Sequence, residues 1–136
     1  MQRDEALPLL ADIVGTALDV DTDDIVPEKR LFEDLGADSL DFVDILFEVE
    51  AKFEVKLADS ELDFLTRLDA TDPALVQDGF LTTAALDRLR PVLPALDEAP
   101  HPARIKPREL YQFVTMETLW RVVDGALRRK AEKPHA

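Results

Sequence analysis

Few side chains in this 136-residue sequence could act as nucleophiles or as general acids and bases. The absence of cysteine excludes thiol nucleophiles, disulfides and thiolate metal sites. The two histidines are His101, between prolines, and His135, next to the last residue, and neither is placed where a packed scaffold would orient it. Carboxylates are plentiful, but carboxylates on helices are usually solvated. The sequence therefore predicts a protein that is not an enzyme.

A second set of candidate residues imitates the opening of a calcium-binding EF-hand loop. Asp19, Asp21 and Asp23 alternate as oxygen ligands do in such a loop. The sixth position of that loop needs glycine and holds Asp24, and the twelfth needs a bidentate glutamate and holds Arg30. An acidic calcium-binding protein is therefore only an alternative, which calorimetry with calcium would test.

The third candidate is a hydroxyl at the start of a predicted helix. Asp38 is well placed as an N-cap and Ser39 as the first helical residue, directly after a turn at Gly36. The free N–H groups and the positive dipole end of a helix start favour an anion attached to such a serine. Capping alone also explains this pair, and Ser60, the other serine of the chain, begins a similar pattern.

The helix that begins at Ser39 has an acidic stripe. At 100° per residue, Asp41, Asp44 and Glu48 fall within about 60° of one another, and Val43 and Phe47 flank them. An apolar ridge beside carboxylates suits docking into a shallow, basic groove of an enzyme. The alternative is a solvated helix face.

Apolar spacing predicts the elements that position these residues. The first helix runs to about residue 18, with Pro8 near its first turn, and the second runs from Ser39 to about residue 53. A short helix begins at Pro107, and Thr115 caps the last helix. Between the second helix and Pro107 we predict helices at 60–68 and 81–93, a stiff proline-rich loop at 91–107 and no sheet.

The net charge of −13 is concentrated in residues 1–59, which hold 17 acidic and 5 basic side chains. Such a field repels nucleic acid and speeds encounter with basic proteins. No apolar run is long enough to span a membrane, and the N-terminus lacks the pattern of a signal peptide. We therefore expect a cytoplasmic protein of one domain, residues 1–136, that is a monomer and binds no nucleic acid.

The segment Leu35–Asp44, LGADSLDFVD, resembles the phosphopantetheine attachment site of acyl carrier proteins. The preceding residues 31–34, LFED, and the acidic helix ending at Phe53 fit the same family. Further along, Pro107–Phe113 resembles the third helix of the family and residues 114–116 the start of its last helix. The resemblance covers residues 1–57 and 106–130.

This resemblance implies an all-α, four-helix bundle of the acyl carrier type with an additional helical insertion. It implies a 4′-phosphopantetheine arm on Ser39, with Asp38 and Leu40 beside it, attached by a phosphopantetheinyl transferase that uses magnesium and coenzyme A. Partner enzymes with basic docking surfaces would load, modify or transfer acyl groups. The implied docking residues are Asp41, Val43, Asp44, Phe47, Glu48 and Glu50.

The chain departs from the family by an insertion at about residues 58–105, where typical members have only a few residues, and it ends in a tail at 131–136. The insertion indicates a specialised carrier for a particular lipid, lipopolysaccharide acyl groups or a secondary metabolite. It extends the groove that holds the acyl chain, packs as a small helical annex, or binds one dedicated enzyme. A peptidyl carrier using the same serine is the alternative.

Overall fold

A computed structural model describes residues 1–57 and 60–132 of the chain. Within them it contains five α-helices: α1 Arg3–Leu18, α2 Ser39–Phe53, α3 Glu61–Thr66, α4 Thr83–Leu89 and α5 Met116–Glu132. Short 3-10 helices cover Thr22–Asp24, Pro94–Glu98, Pro102–Arg104 and Pro107–Phe113. The predicted all-α class is confirmed. Ala58 and Asp59 of the expected insertion, and His135 of the tail, lie outside the described residues.

The bundle is built by α1 packing against both α2 and α5. Leu10 and Val14 of α1 are fully buried, as are Ile45 and Val49 of α2, and both pairs are four residues apart, as one face of a helix requires. The predicted cap of the last helix is confirmed, because the Thr115 hydroxyl accepts a hydrogen bond from the Thr118 N–H at 3.3 Å. No helix among residues 1–57 and 60–132 is both long and apolar enough to cross a bilayer.

The prediction that Pro8 lies near the first turn of α1 is wrong. The helix begins at Arg3, where the Glu5 carboxylate accepts the Gln2 N–H at 3.4 Å, so Pro8 is its sixth residue. Proline has no N–H to donate to the carbonyl four residues earlier. The helix continues because Leu10 and Val14, beyond the proline, are buried in the core.

The long connection between α1 and α2 is attached to the start of α5. The Leu31 N–H donates to the Val114 carbonyl at 2.9 Å, and the Met116 N–H donates to the Lys29 carbonyl at 3.0 Å. At its beginning this connection passes close to Gly15, where a Cβ would lie 2.9 Å from the Val20 carbonyl oxygen. These contacts fix where the chain enters α2.

The chain from α3 to α5 differs in part from the structure predicted for it. The helices predicted at 60–68 and 81–93 are present but shorter, and the proline-rich stretch holds two 3-10 helices, each begun by a proline. The prediction of no sheet is wrong at one place, because Val76–Gln77 pairs antiparallel with Phe80–Leu81 in a two-stranded sheet. The turn between them is formed by Asp78 and Gly79, whose φ angles are 55° and 85°.

The added segment, by which we mean the chain between α3 and α5, lies largely within the predicted insertion and shares a core with the bundle. Leu86, Leu89 and Leu93 belong to the same buried apolar cluster as the residues of α1, α2 and α5. The Arg121 guanidinium of α5 also donates to the Pro91 carbonyl at 3.0 Å. The segment is therefore packed onto the bundle rather than held apart from it.

Candidate functional site

Ser39 is the first residue of α2, and Asp38 is its N-cap. An Asp38 carboxylate oxygen accepts the Asp41 N–H at 2.8 Å, and an Asp41 carboxylate oxygen accepts the Asp38 N–H at 3.1 Å. This reciprocal pair is a capping box with aspartate in both positions. The cap predicted from the sequence is thus present, and the Ser39 side chain takes no part in it.

The turn before α2 leaves Ser39 at the surface. Gly36 has φ +76°, a left-handed conformation that glycine adopts without the steric cost that other residues carry. The Ala37 N–H then donates to the Leu31 carbonyl at 2.9 Å, which fixes the last residues before the helix. Ser39 is exposed, and so is Leu40, whose exposed fraction is 77%.

The other serine of the chain is in a different environment. Ser60 is 3% exposed, and its hydroxyl accepts the Asp63 N–H at 3.3 Å as the N-cap of α3. A buried hydroxyl that already caps a helix is a poor acceptor for a bulky group. The two helix starts look alike in sequence, and the structure distinguishes them by exposure.

The structure divides the predicted docking residues into two sets. Asp44 and Glu48 are exposed, and Val43 and Phe47 are exposed apolar side chains, Phe47 to 64%. Two carboxylates, those of Asp41 and Glu50, are half-buried and already engaged. Asp41 belongs to the capping box, and Glu50 accepts the Leu57 N–H at 2.9 Å, which holds the connection that follows α2.

Phe47 stands between two grooves, one on each side of α2. The first, between α1 and α2, has a volume of about 620 Å³. The second, between α2 and α3, has a volume of about 370 Å³. The first groove is lined by Leu9, Asp12, Ile13, Thr16, Ala17, Asp44, Phe47, Glu48 and Lys52, and the second by Val43, Leu46, Phe47, Glu50, Leu57, Leu62, Asp63, Thr66 and Arg67.

The contribution of α1 to this surface was missed by the sequence analysis. Ile13 was used only as part of the apolar pattern of the first helix, and Leu9 and Asp12 were not considered. Leu9, Asp12 and Ile13 face the α1–α2 groove beside Asp44 and Glu48. Their 3.6-residue spacing is a signal for one helix face, but the sequence does not show that α2 lies opposite it.

An aromatic cluster packs against the buried side of the first turn of α2. The ring of Phe42 lies 5.4 Å from that of Phe32 and 6.2 Å from that of Tyr111, and the Phe32 and Tyr111 rings are 5.4 Å apart, all in edge-on arrangements. Such geometry is favourable for aromatic pairs. Partial burial in this cluster raises the pKa of the Tyr111 phenol above its ordinary value.

The residues of the calcium-binding alternative are arranged locally. Asp19 ends α1 in a left-handed conformation, and the Asp21 carboxylate accepts the Asp23 N–H at 3.0 Å as the cap of a 3-10 helix. Among residues 1–57 and 60–132, no three acidic or histidine side chains come together in a way that could hold a metal ion. The structure therefore gives these aspartates capping and chain-ending roles.

The surroundings of Ser39 fit a covalently attached phosphate ester. The first N–H groups of an α-helix have no partner within the helix, and Asp38 occupies only that of Asp41. A phosphate on Ser39 would lie at the positive end of the dipole of a 15-residue helix. The open surface at Ser39 and Leu40 leaves room for a flexible arm.

Comparison with known proteins gives a consistent set of similarities. The family model described as "Phosphopantetheine attachment site" matches residues 8–70, which include most of α1 and all of α2 and α3. An acyl carrier protein of Campylobacter jejuni subsp. doylei is 40% identical over 57 residues, 42% of this chain and 74% of that protein. Because 57 residues are 74% of it, that relative has about 77 residues, and this chain is much longer.

Two more acyl carrier proteins show the same likeness. That of Rubrobacter xylanophilus is 36% identical over 69 residues, 51% of this chain and 85% of the relative. That of Thermotoga maritima is 39% identical over 61 residues, 45% of this chain and 75% of the relative. No solved structure gives a significant match. With this identity over most of each relative, and with the helical fold, the chain belongs to the acyl carrier protein family, whose members have a covalent 4′-phosphopantetheine group.

Proposed function

We propose that Ser39 is the attachment site of the arm, and that the chain transports acyl intermediates on it. The observation that supports this assignment is the contrast between the two serines, which both lie inside the matched region 8–70. Ser39 is exposed at the start of a long helix, whereas Ser60 is buried and its hydroxyl is engaged. The attached arm supplies a thiol on which acyl groups are held as thioesters.

Intact-mass measurement tests the attachment site. The purified protein is incubated with a phosphopantetheinyl transferase, magnesium and coenzyme A, and the mass should increase by one phosphopantetheine group. Ser39→Ala should remain unmodified, while Ser60→Ala should be modified like the wild type. Circular dichroism of both variants checks that the helices are intact. Modification of folded Ser39→Ala would contradict the proposal.

We also propose that the transferase and the acyl-handling enzymes dock on the exposed face of α2. Leu40, Val43 and Phe47 form an apolar ridge on this helix, with Asp44 and Glu48 at its side. Apolar contact provides adhesion, and the charges steer encounter with a basic groove. Among the predicted docking residues, the most exposed are Val43, Asp44, Phe47 and Glu48.

Charge reversal tests this surface. Asp44→Lys and Glu48→Lys should each slow association with the transferase, about tenfold at low salt and less at high salt. Glu132→Lys, at the last residue of α5, makes the same change in net charge away from α2 and serves as the matched control. Equal association rates for Asp44→Lys and Glu132→Lys would remove the proposed docking face.

The extra length leads us to propose a specialised pathway, such as a particular lipid, lipopolysaccharide acylation or a secondary metabolite. The relatives of about 77 residues transport their cargo without such an addition. The mass of the protein isolated from its natural host would identify the cargo. An attached acyl group supports this proposal, and an attached aminoacyl group would make the protein a peptidyl carrier instead.

A further inference from the structure

The short helix α3 has two faces with different surroundings. One face lines the α2–α3 groove, through Leu62, Asp63, Thr66 and Arg67. The other presents Phe64 and the buried Leu65, which do not line that groove, and α3 packs there against α4 of the added segment. The α3 wall of the groove is therefore supported by α4. Relatives of about 77 residues have few residues available to form such a helix.

A single cation–π contact joins these two helices. The guanidinium carbon of Arg88 on α4 lies 4.2 Å from the centre of the Phe64 ring on α3. This is well within the distance of about 6 Å at which such contacts are attractive. Arg88 is exposed, so its replacement removes the contact without opening a cavity in the core.

The helix that provides Arg88 is itself firmly anchored. Thr82 caps α4, because its hydroxyl accepts the Ala85 N–H at 3.2 Å and donates to the Ala74 carbonyl at 2.7 Å. Leu86 and Leu89 of α4 are buried in the common core. Helix α3 has six residues, one fewer than α4, and it buries Leu62 and Leu65 in the same core. Helices this short have little stability of their own. The position of α3 is therefore set by what packs behind it.

We propose that Arg88 and Phe64 are positioning residues that limit how far α3 moves away from α2, and so limit the length of acyl chain that the α2–α3 groove accepts. This rests on the proposed acyl-carrier role of Ser39. The groove has an apolar side formed by Val43, Leu46 and Leu57, suited to a hydrocarbon chain, and its volume is about 370 Å³. The added segment thus acts as a support behind the groove rather than as a longer groove.

The test uses a series of acyl groups from butyryl to palmitoyl. The transferase moves the acyl-phosphopantetheine of each acyl-coenzyme A onto the Ser39 hydroxyl of the full chain and releases adenosine 3′,5′-bisphosphate. The melting temperature of each acyl form is compared with that of the form bearing the free arm. For the wild type, stabilisation should stop rising at medium chain length. For Arg88→Ala and Phe64→Leu it should continue to rise with longer chains, and Arg88→Lys, which keeps the cation, should restore the wild-type profile.

The chain offers a matched control for this contact. The guanidinium carbon of Arg104 lies 5.9 Å from the ring centre of Phe80, in the same added segment but outside the α2–α3 groove. Arg104→Ala should leave the dependence on acyl length unchanged. A change as large as that of Arg88→Ala would mean that general loosening of the segment is responsible, and would overturn the proposal.

Hydrogen exchange of the unmodified protein provides a readout that does not depend on Ser39. In Arg88→Ala, the α3 amides of Phe64 and Arg67, which are bonded to the carbonyls of Ser60 and Asp63, should exchange about two- to fivefold faster. Unchanged exchange together with an unchanged acyl-length profile would overturn the role of Arg88. If no serine can be modified, the attachment proposal fails, and the exchange result still decides the role of Arg88 in holding α3.

Discussion

From the family resemblance we also propose that Asp38 helps to place the magnesium and the transferase. Replacement of Asp38 distinguishes this role from that of a helix cap. Its carboxylate accepts the Asp41 N–H at 2.8 Å, so Asp38→Ala leaves that N–H without its partner. Loss of an N-cap costs about 1 kcal/mol, and in a chain of this length that lowers the melting temperature by roughly 3–5 °C. Asp38→Ser keeps an oxygen in the cap, since serine and aspartate cap helices about equally well, but it removes the charge.

The assay compares melting temperature with the rate of modification by the transferase. Asp38→Ala should lose both stability and rate. Asp38→Ser should melt within about 1–2 °C of the wild type, yet be modified roughly 10- to 100-fold more slowly, because a contact to a charged group is lost. If Asp38→Ser recovers the full rate together with the stability, then Asp38 is only a helix cap and has no role in recognition by the transferase.

Three further predictions concern single contacts. Tyr111 is the one tyrosine of the chain, so ultraviolet absorbance of its phenolate should give a pKa above 10.0. The stability that Tyr111 contributes to folding should be fully present below pH 10.0 and should be lost as the pH rises through the raised pKa. An ordinary or lower pKa would contradict its burial. Hydrogen bonds from Thr71 lower the pKa of the exposed Asp69 carboxyl, so Thr71→Val should raise this pKa towards 3.8 in an NMR titration. An unchanged pKa would contradict the 2.6 Å hydrogen bond from the Thr71 hydroxyl to Asp69. Gly36→Ala should lower the free energy of unfolding by about 1 kcal/mol in chemical denaturation, and Gly36→Asn should lower it less. The reason is that an added Cβ meets no atom within 4 Å, so that only the left-handed backbone conformation is strained.

The bundle helices and the capped start of α2 could be predicted because their signals are local. Leu10 and Val14 repeat at helical spacing, and Asp38 followed by an acidic helix is a typical helix start. The hairpin carried a local signal that was overlooked, since Asp78-Gly79 is typical of a two-residue turn with positive φ at both positions. Its strands are only two residues long, too short for alternation to be recognised.

Features that depend on distant parts of the chain could not be predicted. The sequence shows Glu50 as one more acidic residue of α2, and only the fold brings its carboxylate to the Leu57 N–H. Likewise, no sequence pattern places Arg88 over the ring of Phe64, 24 positions earlier, since that contact requires α4 to fold back on α3. Pro8 was misplaced because proline prefers the first turn of a helix, whereas burial of the residues that follow Pro8 stabilises the helix despite the proline.

The location of the added segment has a consequence for how such a carrier is recognised. The segment packs against α3, and its Pro91 carbonyl accepts a hydrogen bond from Arg121 of α5. Leu40 and Phe47 on α2 stay 77% and 64% exposed. Had it covered α2, these side chains would be buried and a transferase could not approach Ser39 along that face. The acidic charge is likewise concentrated in residues 1–59, and the rest of the chain is close to neutral. If α2 is the docking face and the α2–α3 groove holds the cargo, as proposed above, the added segment can change the cargo without obstructing the docking face.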